Sequence, residues 1–252
     1  MNKIKVNILV YFTLNILIIL CLLLQVINNN WSNVFLCILT LILFLIPSFL
    51  TKKLNIIVPT TLEIIVYIFI FSAEILGEVQ NYFGIFNHWD TILHTINGFI
   101  CAAIGLSLIN ILNKNNVLHI SVTPIFSFLF AISFSMLVGI IWEFIEFSTD
   151  YYLNKDMQKD QIITKITSTK LNNSLKAKKL SIDNINKTII YTNNNIIIIN
   201  NGYLYIGLID TMKDLFVNFL GAIIFSILGY LCIKNKGNYK LINSFILQLK
   251  KG

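Results

Sequence analysis

Acidic, histidine and asparagine side chains occur at helical spacing inside an otherwise apolar stretch of the sequence. In WDTILHTINGF, residues 89–99, Asp90, His94 and Asn97 are spaced four and three residues apart and therefore share one face of a helix. A carboxylate and an imidazole one turn apart can bind the same divalent cation, or the carboxylate can orient the imidazole as a general base. Mn²⁺, Mg²⁺ or Ca²⁺ fits a site dominated by oxygen, and Zn²⁺ fits if His88 binds together with His94. The alternative is that His94 is a hydrogen-bonded packing residue.

Three other apolar stretches carry pairs of acids three or four residues apart, so each pair also shares a helical face. These pairs are Glu74 with Glu78, Glu143 with Glu146, and Asp210 with Asp214. Asp150 continues the helical face of Glu143 and Glu146. We therefore predict one shared polar site. Its catalytic candidates are Asp90, His94, Glu143, Glu146, Asp210 and Asp214. Its candidate metal ligands are Asp90, His94, Glu143, Asp210 and Asp214, with Glu74, Asn97 and Asn218 as further polar residues of the site.

The elements that hold these residues are long apolar segments. Of the 252 residues, 56% are hydrophobic and 12% are charged, whereas a soluble chain averages about 25% charged residues. Six segments approach the ~20 residues that cross a bilayer: 6–27, 31–50, 56–76, 91–112, 121–147 and 206–233. The sequence therefore predicts an all-α polytopic membrane protein, a bundle of six transmembrane helices in contact with the lipid bilayer.

The distribution of lysine predicts which side of the membrane each segment faces. The N-terminus, the second and fourth connections and the C-terminus carry lysine, whereas the first and third connections carry none. This pattern predicts a multi-pass protein of the cell membrane with both termini in the cytoplasm. It also accounts for the net charge of +7, so we expect no binding to nucleic acid. The inner lysines are Lys3, Lys5, Lys52, Lys53, Lys114, Lys234, Lys236, Lys240, Lys250 and Lys251.

The candidate site residues share a predicted depth in the membrane. At about 1.5 Å per residue, counting some 20 residues from the cytoplasmic ends places Glu74, His94, Glu143 and Asp214 at the outer edge of the hydrocarbon. Charged groups that face lipid cost roughly 2.5–3.5 kcal/mol at mid-membrane, so these groups should turn towards the bundle interior. The alternative is that each pair is charged only because it meets water at the interface. Four pairs at one depth favour a polar chamber that opens to the outside.

Glu63 is predicted to lie apart from that layer. It follows Lys53 by about ten residues and comes after Pro59-Thr60-Thr61, which places it near mid-bilayer. A lone carboxylate there either carries a proton or a cation, as in a transporter, or is protonated and hydrogen-bonded to a neighbouring helix. The sequence leaves both interpretations open.

The long polar segment before the last span has a β-strand pattern at its end. In KTIIYTNNNIIIINNGYLYIG, β-branched runs alternate with NNN and NNG, and NNG is a strong hairpin-turn signal. We predict a small extracytoplasmic β-containing cap; a disordered Asn-rich loop is the alternative. The predicted organisation is residues 1–147 as helices one to five, 148–205 as the cap, 206–234 as helix six, and 235–252 as a cytoplasmic tail. The tail pattern predicts a short amphipathic helix on the inner membrane surface.

Taken together, these motifs resemble a known family. The order WDTILHTINGF, WEFIEFSTD with a following Met157-Gln158, and GYLYIGLIDTMKDLFVNFLGA resembles the uncharacterised YjdF-type family of bacterial membrane-spanning proteins. The early Asp-x-x-x-His and late Asp-x-x-x-Asn more loosely resemble VanZ-like proteins, which usually also carry an Arg that is missing here. The resemblance implies a six-helix cell-envelope protein of a low-GC Gram-positive bacterium. The matching positions are Asp90, His94, Gly98, Glu143, Glu146, Asp210, Asp214, Asn218 and Gly221.

Three functions are compatible with the sequence. The first is a membrane enzyme or accessory factor that acts on a lipid-linked or cell-envelope substrate, with a divalent metal or acid–base chemistry at the outer site. The second is a transporter or ion-binding membrane protein with Glu63 on the path, which unequal or discontinuous helices would favour. The third is a structural or partner-binding membrane protein whose polar layer locks the packing of the helices.

Overall fold

The computed structural model describes residues 3–53, 55–114, 122–172, 178–235 and 240–250. His119, Lys236 and Lys251 lie outside the described residues. The chain divides into two compact units. Unit 1 comprises Met1–Ile140 and Asp214–Gly252, and unit 2 comprises Ile141–Lys213.

Within the described ranges, five helical segments are long and apolar enough to cross a membrane. They are formed by α1 (Lys3–Ile27), α2 with α3 (Trp31–Leu43 and Ile46–Lys53), α6 (Trp89–Lys114), α7 (Pro124–Leu153) and α8 (Leu208–Lys234). These segments confirm the helical membrane class. The break between α2 and α3 lies just before Pro47, whose ring and missing N–H disrupt bonding to the carbonyl four residues earlier.

The third predicted span begins later than expected. Residues Ile56–Ile57 form a short strand, β1, and Pro59 then starts α4 (Thr60–Ile70), which continues as a π-helix over Phe71–Val79. Glu63 therefore lies in the first turn of α4. The depth of Glu63 in a bilayer stays a prediction. A one-turn helix, α5 (Tyr82–Ile85), precedes α6.

The predicted amphipathic tail helix does not form in the described residues. One turn, α9 (Lys240–Asn243), is followed by strand β8 (Gln248–Leu249), which pairs antiparallel with β1. Between them, Phe245, Ile246 and Leu247 are buried against the core formed by α4, α6 and α8. Three consecutive apolar residues cannot share one helical face, and they bury more surface by folding back into the bundle.

The outer faces of the long helices are apolar. Large side chains on α1 such as Leu9 (64% exposed) and Phe12 (58% exposed) are accessible, as are Phe144 on α7 and Phe216 on α8. A soluble protein rarely exposes such extended apolar surface. These faces are the lipid-contacting surface of a membrane-embedded protein.

Unit 2 contains small antiparallel β-structure, as the sequence predicted. Strands β2 (Gln161–Ile163) and β7 (Tyr203–Tyr205) pair, as do β3 (Ile166–Ser168) with β4 (Leu180–Ile182) and β5 (Lys187–Tyr191) with β6 (Ile196–Asn200). The NNN segment joins the β5–β6 hairpin. The NNG segment does not close a hairpin, because β7 pairs with β2 rather than with β6.

Helix α7 extends beyond the predicted start of the cap at residue 148. No helix-breaking residue occurs before Asn154, and α7 ends at Leu153. Asn154 adopts a left-handed conformation with φ of 50°, which is a common way for a helix to stop.

Candidate metal-binding site

Helices α6 and α8 approach each other to backbone contact in unit 1. A Cβ at Gly98 on α6 would collide with the carbonyl oxygen of Asn218 on α8, and a Cβ at Gly221 on α8 would collide with the carbonyl oxygen of Thr95 on α6. Glycine at both positions therefore permits a close reciprocal crossing, as small residues do between helices in lipid. This crossing fixes the distance between the side chains on the next turn towards the N-terminal ends of both helices.

That next turn brings three ionisable side chains together. Asp90 and His94 from α6 and Asp214 from α8 each offer one ligand atom, and these atoms lie within 4.8 Å of one another. His94 Nε2 lies 3.4 Å from Asp90 Oδ1. Asp214 is 1% exposed and His94 is 7% exposed, whereas Asp90 is half-buried. The group is therefore reached from the side of Asp90.

The electrostatics of this group favour a bound cation. Two carboxylates held this close repel each other, and burial increases the cost of their charge. Ligand atoms on one Zn²⁺ are each about 2.0–2.2 Å from the metal, so the three atoms need to close by only about 1 Å to share an ion. One imidazole and two carboxylates form a set in which oxygen predominates, which suits Mn²⁺, Mg²⁺ or Ca²⁺, and three protein ligands leave a position for water or substrate.

A polar clasp of Asn97, Asn218 and Ser135 lies one turn deeper and ties three helices together. Asn97 Nδ2 on α6 donates to Asn218 Oδ1 on α8 at 3.1 Å. Asn218 Nδ2 donates to the backbone oxygen of Ser135 on α7 at 3.4 Å, and Ser135 Oγ donates to the Gly98 oxygen at 3.0 Å. Asn218 and Ser135 are fully buried. Each of these three hydrogen bonds joins two different helices. Together they stabilise the position of α8 beside α6.

Room for the clasp is provided by another glycine. A Cβ at Gly139 on α7 would lie 3.0 Å from Asn218 Nδ2. Gly139 continues a series of small residues at four-residue intervals on α7, namely Ser127, Ala131 and Ser135. Our sequence interpretation missed Gly139 and Ser135; the small-xxx-small pattern is the signal that would have found them.

Three other predicted site residues belong to unit 2. Glu143 and Glu146 on α7 are buried, and Glu146 Oε1 accepts a hydrogen bond of 2.8 Å from the Trp142 indole. Asp210 near the start of α8 is also buried, and its Oδ2 accepts the backbone N–H of Lys159 at 2.8 Å. Their membership in one chamber with the unit 1 group stays a prediction.

Asp150 and Asp210 hold the segment that follows α7. The two carboxylate oxygens of Asp150 accept the backbone N–H groups of Met157 and Gln158 at 2.6 and 2.8 Å. With the bond from Lys159 to Asp210, these contacts clamp three successive backbone N–H groups. We had interpreted Asp150 as a continuation of the polar face of the site. In the structure it anchors this loop.

Glu74 and His88 are not members of the three-residue group. Glu74 is half-buried in the π-helix, Glu78 is exposed, and His88 is exposed just before α6. Zn²⁺ was expected if His88 and His94 bind one ion together. His88 does not belong to the group that contains His94, so this condition is not met.

Glu63 lies in a different polar contact in unit 1. Its Oε1 accepts the Tyr67 hydroxyl at 3.0 Å, and its Oε2 accepts the Asn7 side-chain amide of α1. The centroid of the Tyr67 ring lies 5.3 Å from that of Tyr11 and 4.9 Å from that of Phe44. These contacts agree with the interpretation of Glu63 as a carboxyl group hydrogen-bonded to a neighbouring helix.

Comparison with known proteins identifies the family. Residues 9–235 match the family described as "Predicted membrane protein (DUF2238)". The chain belongs to this family. The match agrees with the YjdF-type resemblance. The looser resemblance to VanZ-like proteins, and with it the assignment to a Gram-positive cell envelope, gains no support. No curated protein and no solved structure matches the chain significantly.

The family match covers every element of the candidate site. It spans Asp90, His94 and Asp214 together with the two crossing glycines, Gly98 and Gly221. The family description states membrane location and names no reaction.

Proposed function

We propose that this protein binds a divalent cation at Asp90, His94 and Asp214 and uses it on a lipid-linked or cell-envelope substrate. The observation that carries the proposal is the convergence of three ligand atoms within 4.8 Å from two helices, with two of the three side chains buried. If these residues were charged only because water solvates them at the membrane interface, they would be expected to point outwards and not to converge between two helices.

The proposed membrane arrangement has six spans with both termini in the cytoplasm. The sixth span is the combined α4 and π-helix segment, Thr60–Val79, which at about 20 residues approaches the length of a bilayer core. The lysine distribution supports the inner location of the termini, and unit 2 is then extracytoplasmic. The Asp90–His94–Asp214 group would face the outer leaflet, where lipid-linked envelope substrates are exposed to water.

The chemistry follows from the ligand set. A divalent ion held by two carboxylates and one imidazole would lower the pKa of a bound water or polarise a substrate oxygen. Asp90, the more exposed ligand, borders the side from which substrate would arrive. If no metal binds, Asp90 would orient His94, and His94 would act as a general base on the same class of substrate.

Metal content tests the proposal directly. The wild type, His94→Gln and Asp214→Asn would be purified in detergent without chelator and analysed by elemental mass spectrometry. His88→Gln is the matched control, because His88 is an exposed histidine outside the group. We expect near-stoichiometric metal in the wild type and the control, and loss in both site variants.

The contrary results are also informative. Metal that persists in both site variants would place the ion elsewhere and overturn the assignment. Absence of metal from the wild type, even after dialysis against Zn²⁺ and Mn²⁺, would remove the metal mechanism. The closed hydrogen bonding of Asn97, Asn218 and Ser135 would then favour a polar layer that locks helix packing.

Ion binding or transport is the second candidate. The observation that favours it is the change from α to π winding at Phe71, in a segment that also carries Glu63 and Glu74. π-helical turns concentrate at functional sites, and discontinuous helices are typical of transporters. A proton or cation flux in liposomes that is abolished by Glu63→Gln would favour this function over the first.

A further inference from the structure

The β5–β6 hairpin of unit 2 exposes apolar side chains on both of its faces. One face carries the cross-strand pairs Ile189–Ile198 and Tyr191–Ile196, and the other carries Ile190–Ile197. All six side chains are exposed, with Tyr191 at 75% and Ile196 at 62%. Such a surface differs from the usual hairpin, in which one face packs on a core and the other is polar.

An apolar two-stranded hairpin needs a further contact to be stable. Isolated hairpins are marginally stable in water, and contiguous exposed apolar surface typically marks an interaction site. The polar residues are confined to the two ends of the hairpin. Asn193, Asn194 and Asn195 form the connecting turn, and Lys187 with Asn200 forms the opposite end.

On its C-terminal side, the hairpin is joined to α8 through β7 and two very short connections. Only Asn201 and Gly202 separate β6 from β7, and β7 is separated from α8 by two residues. Ile206, in that second connection, is 76% exposed, and Leu208 at the start of α8 is 54% exposed. Exposed apolar side chains therefore occur on the α8 side of β7 as well as in the hairpin.

The charge of the same segment complements an anionic membrane. Residues 151–205 contain eight lysines and three aspartates, which gives a net charge of +5. Lys165 is neutralised by Asp183 at 2.8 Å, so the excess positive charge rests on the other lysines. Each lysine near an anionic lipid surface contributes roughly 1 kcal/mol to binding.

We propose that the β5–β6 hairpin is a membrane-surface anchor that lies in the interface of the same bilayer the helices span. The face with Ile189, Tyr191, Ile196 and Ile198 contacts the lipid, with Tyr191 at the headgroup level that aromatic residues favour. The hairpin stays at the surface because its edge backbone groups and its asparagine turn require water. This proposal is independent of the metal site.

Spin-label accessibility tests the anchor. Ile198→Cys and the control Ser181→Cys, an exposed position on β4 of the same unit, would be spin-labelled in nanodiscs that contain anionic phospholipid. Labelling of the wild type gives the background signal from the native cysteines, three of which are buried. Accessibility to oxygen, which is enriched in lipid, would be compared with accessibility to a water-soluble nickel chelate.

We expect a several-fold higher ratio of oxygen to nickel accessibility at Ile198 than at Ser181. Replacing the anionic lipid by a zwitterionic one should lower the ratio at Ile198 and leave Ser181 unchanged. Full nickel accessibility at Ile198 would overturn the proposal. So would low accessibility to both reagents, which would mean that protein covers the hairpin; distance measurement between labels would then identify a second copy. Circular dichroism and elution volume of each variant exclude misfolding as the cause.

Discussion

Substitution of Gly98 by alanine tests the helix crossing on which the site depends. The added Cβ would collide with the Asn218 carbonyl oxygen and lie 2.8 Å from its carbon and 3.0 Å from its Cα. Carbon atoms in favourable contact are about 3.5–4.0 Å apart, so α6 and α8 must separate by about 1 Å. Backbone atoms cannot rotate away as a side chain can.

The magnitude follows from two opposing effects. Overpacking in a rigid contact costs about 1–3 kcal/mol, and the upper end applies to backbone. The higher helix propensity of alanine relative to glycine offsets this cost by about 1 kcal/mol. The net loss of about 2 kcal/mol corresponds to a fall in melting temperature of about 4–8 °C for a domain of this size. The same separation moves Asp214 away from Asp90 and His94, so metal affinity should also fall.

Thermal unfolding in detergent can be followed with a thiol-reactive fluorophore, because Cys21, Cys37 and Cys101 are buried in the native protein. Gly229→Ala is the matched control: the atoms nearest its Cβ belong to the Leu106 side chain, which can shift at less cost than backbone. We expect a clear loss of stability for Gly98→Ala and a smaller loss for Gly229→Ala. Equal melting temperatures for the two variants and the wild type would refute the close crossing of α6 and α8.

Two further predictions concern the loop after α7 and the C-terminal segment. Asp150→Ala removes the acceptor of two backbone N–H bonds, at about 1.5–3 kcal/mol for each charged hydrogen bond, so limited proteolysis near residues 155–160 should accelerate. Alanine at the exposed Asp156 is the control, and equal cleavage rates for both variants would contradict the anchoring role. Phe245→Ala should destabilise the protein by about 3 kcal/mol, because the ring lies 5.2 Å from Phe99 in the core. A melting temperature unchanged by that substitution would mean that the tail does not pack into the bundle.

The lipid-spanning segments and the spacing of Asp90 and His94 could be predicted because both depend on properties local in sequence. A run of apolar residues long enough to cross a bilayer has few alternatives to a helix, since its backbone must satisfy its own hydrogen bonds. Helical periodicity then places residues four apart on one face whatever surrounds them. The β-content of the cap was predictable for the same reason, from its β-branched runs.

The errors arose where a local pattern permits more than one tertiary partner. The third predicted span was expected to begin at residue 56, but Ile56 and Ile57 form β1, which pairs with the distant β8, and the helix starts at Thr60. The tail was predicted as a surface helix because its apolar residues are compatible with both lipid and the bundle interior. The spacing of Asp150, which continues the face of Glu143 and Glu146, does not reveal its bond to a loop backbone seven residues away.

By itself, the sequence determined that this is a helical membrane protein and that Asp90 and His94 share a helical face. The sequence placed Asp214 among several candidate ligands of one site, and only the tertiary structure brings it, from more than a hundred residues away, within ligand distance of that face. The reason is physical: in lipid, apolar surface does not select which helices meet, so pairing depends on steric fit and polar contacts. Gly98 and Gly221 provide the fit, and the bond of Asn97 to Asn218 provides the contact. Both exist only once the two helices are side by side.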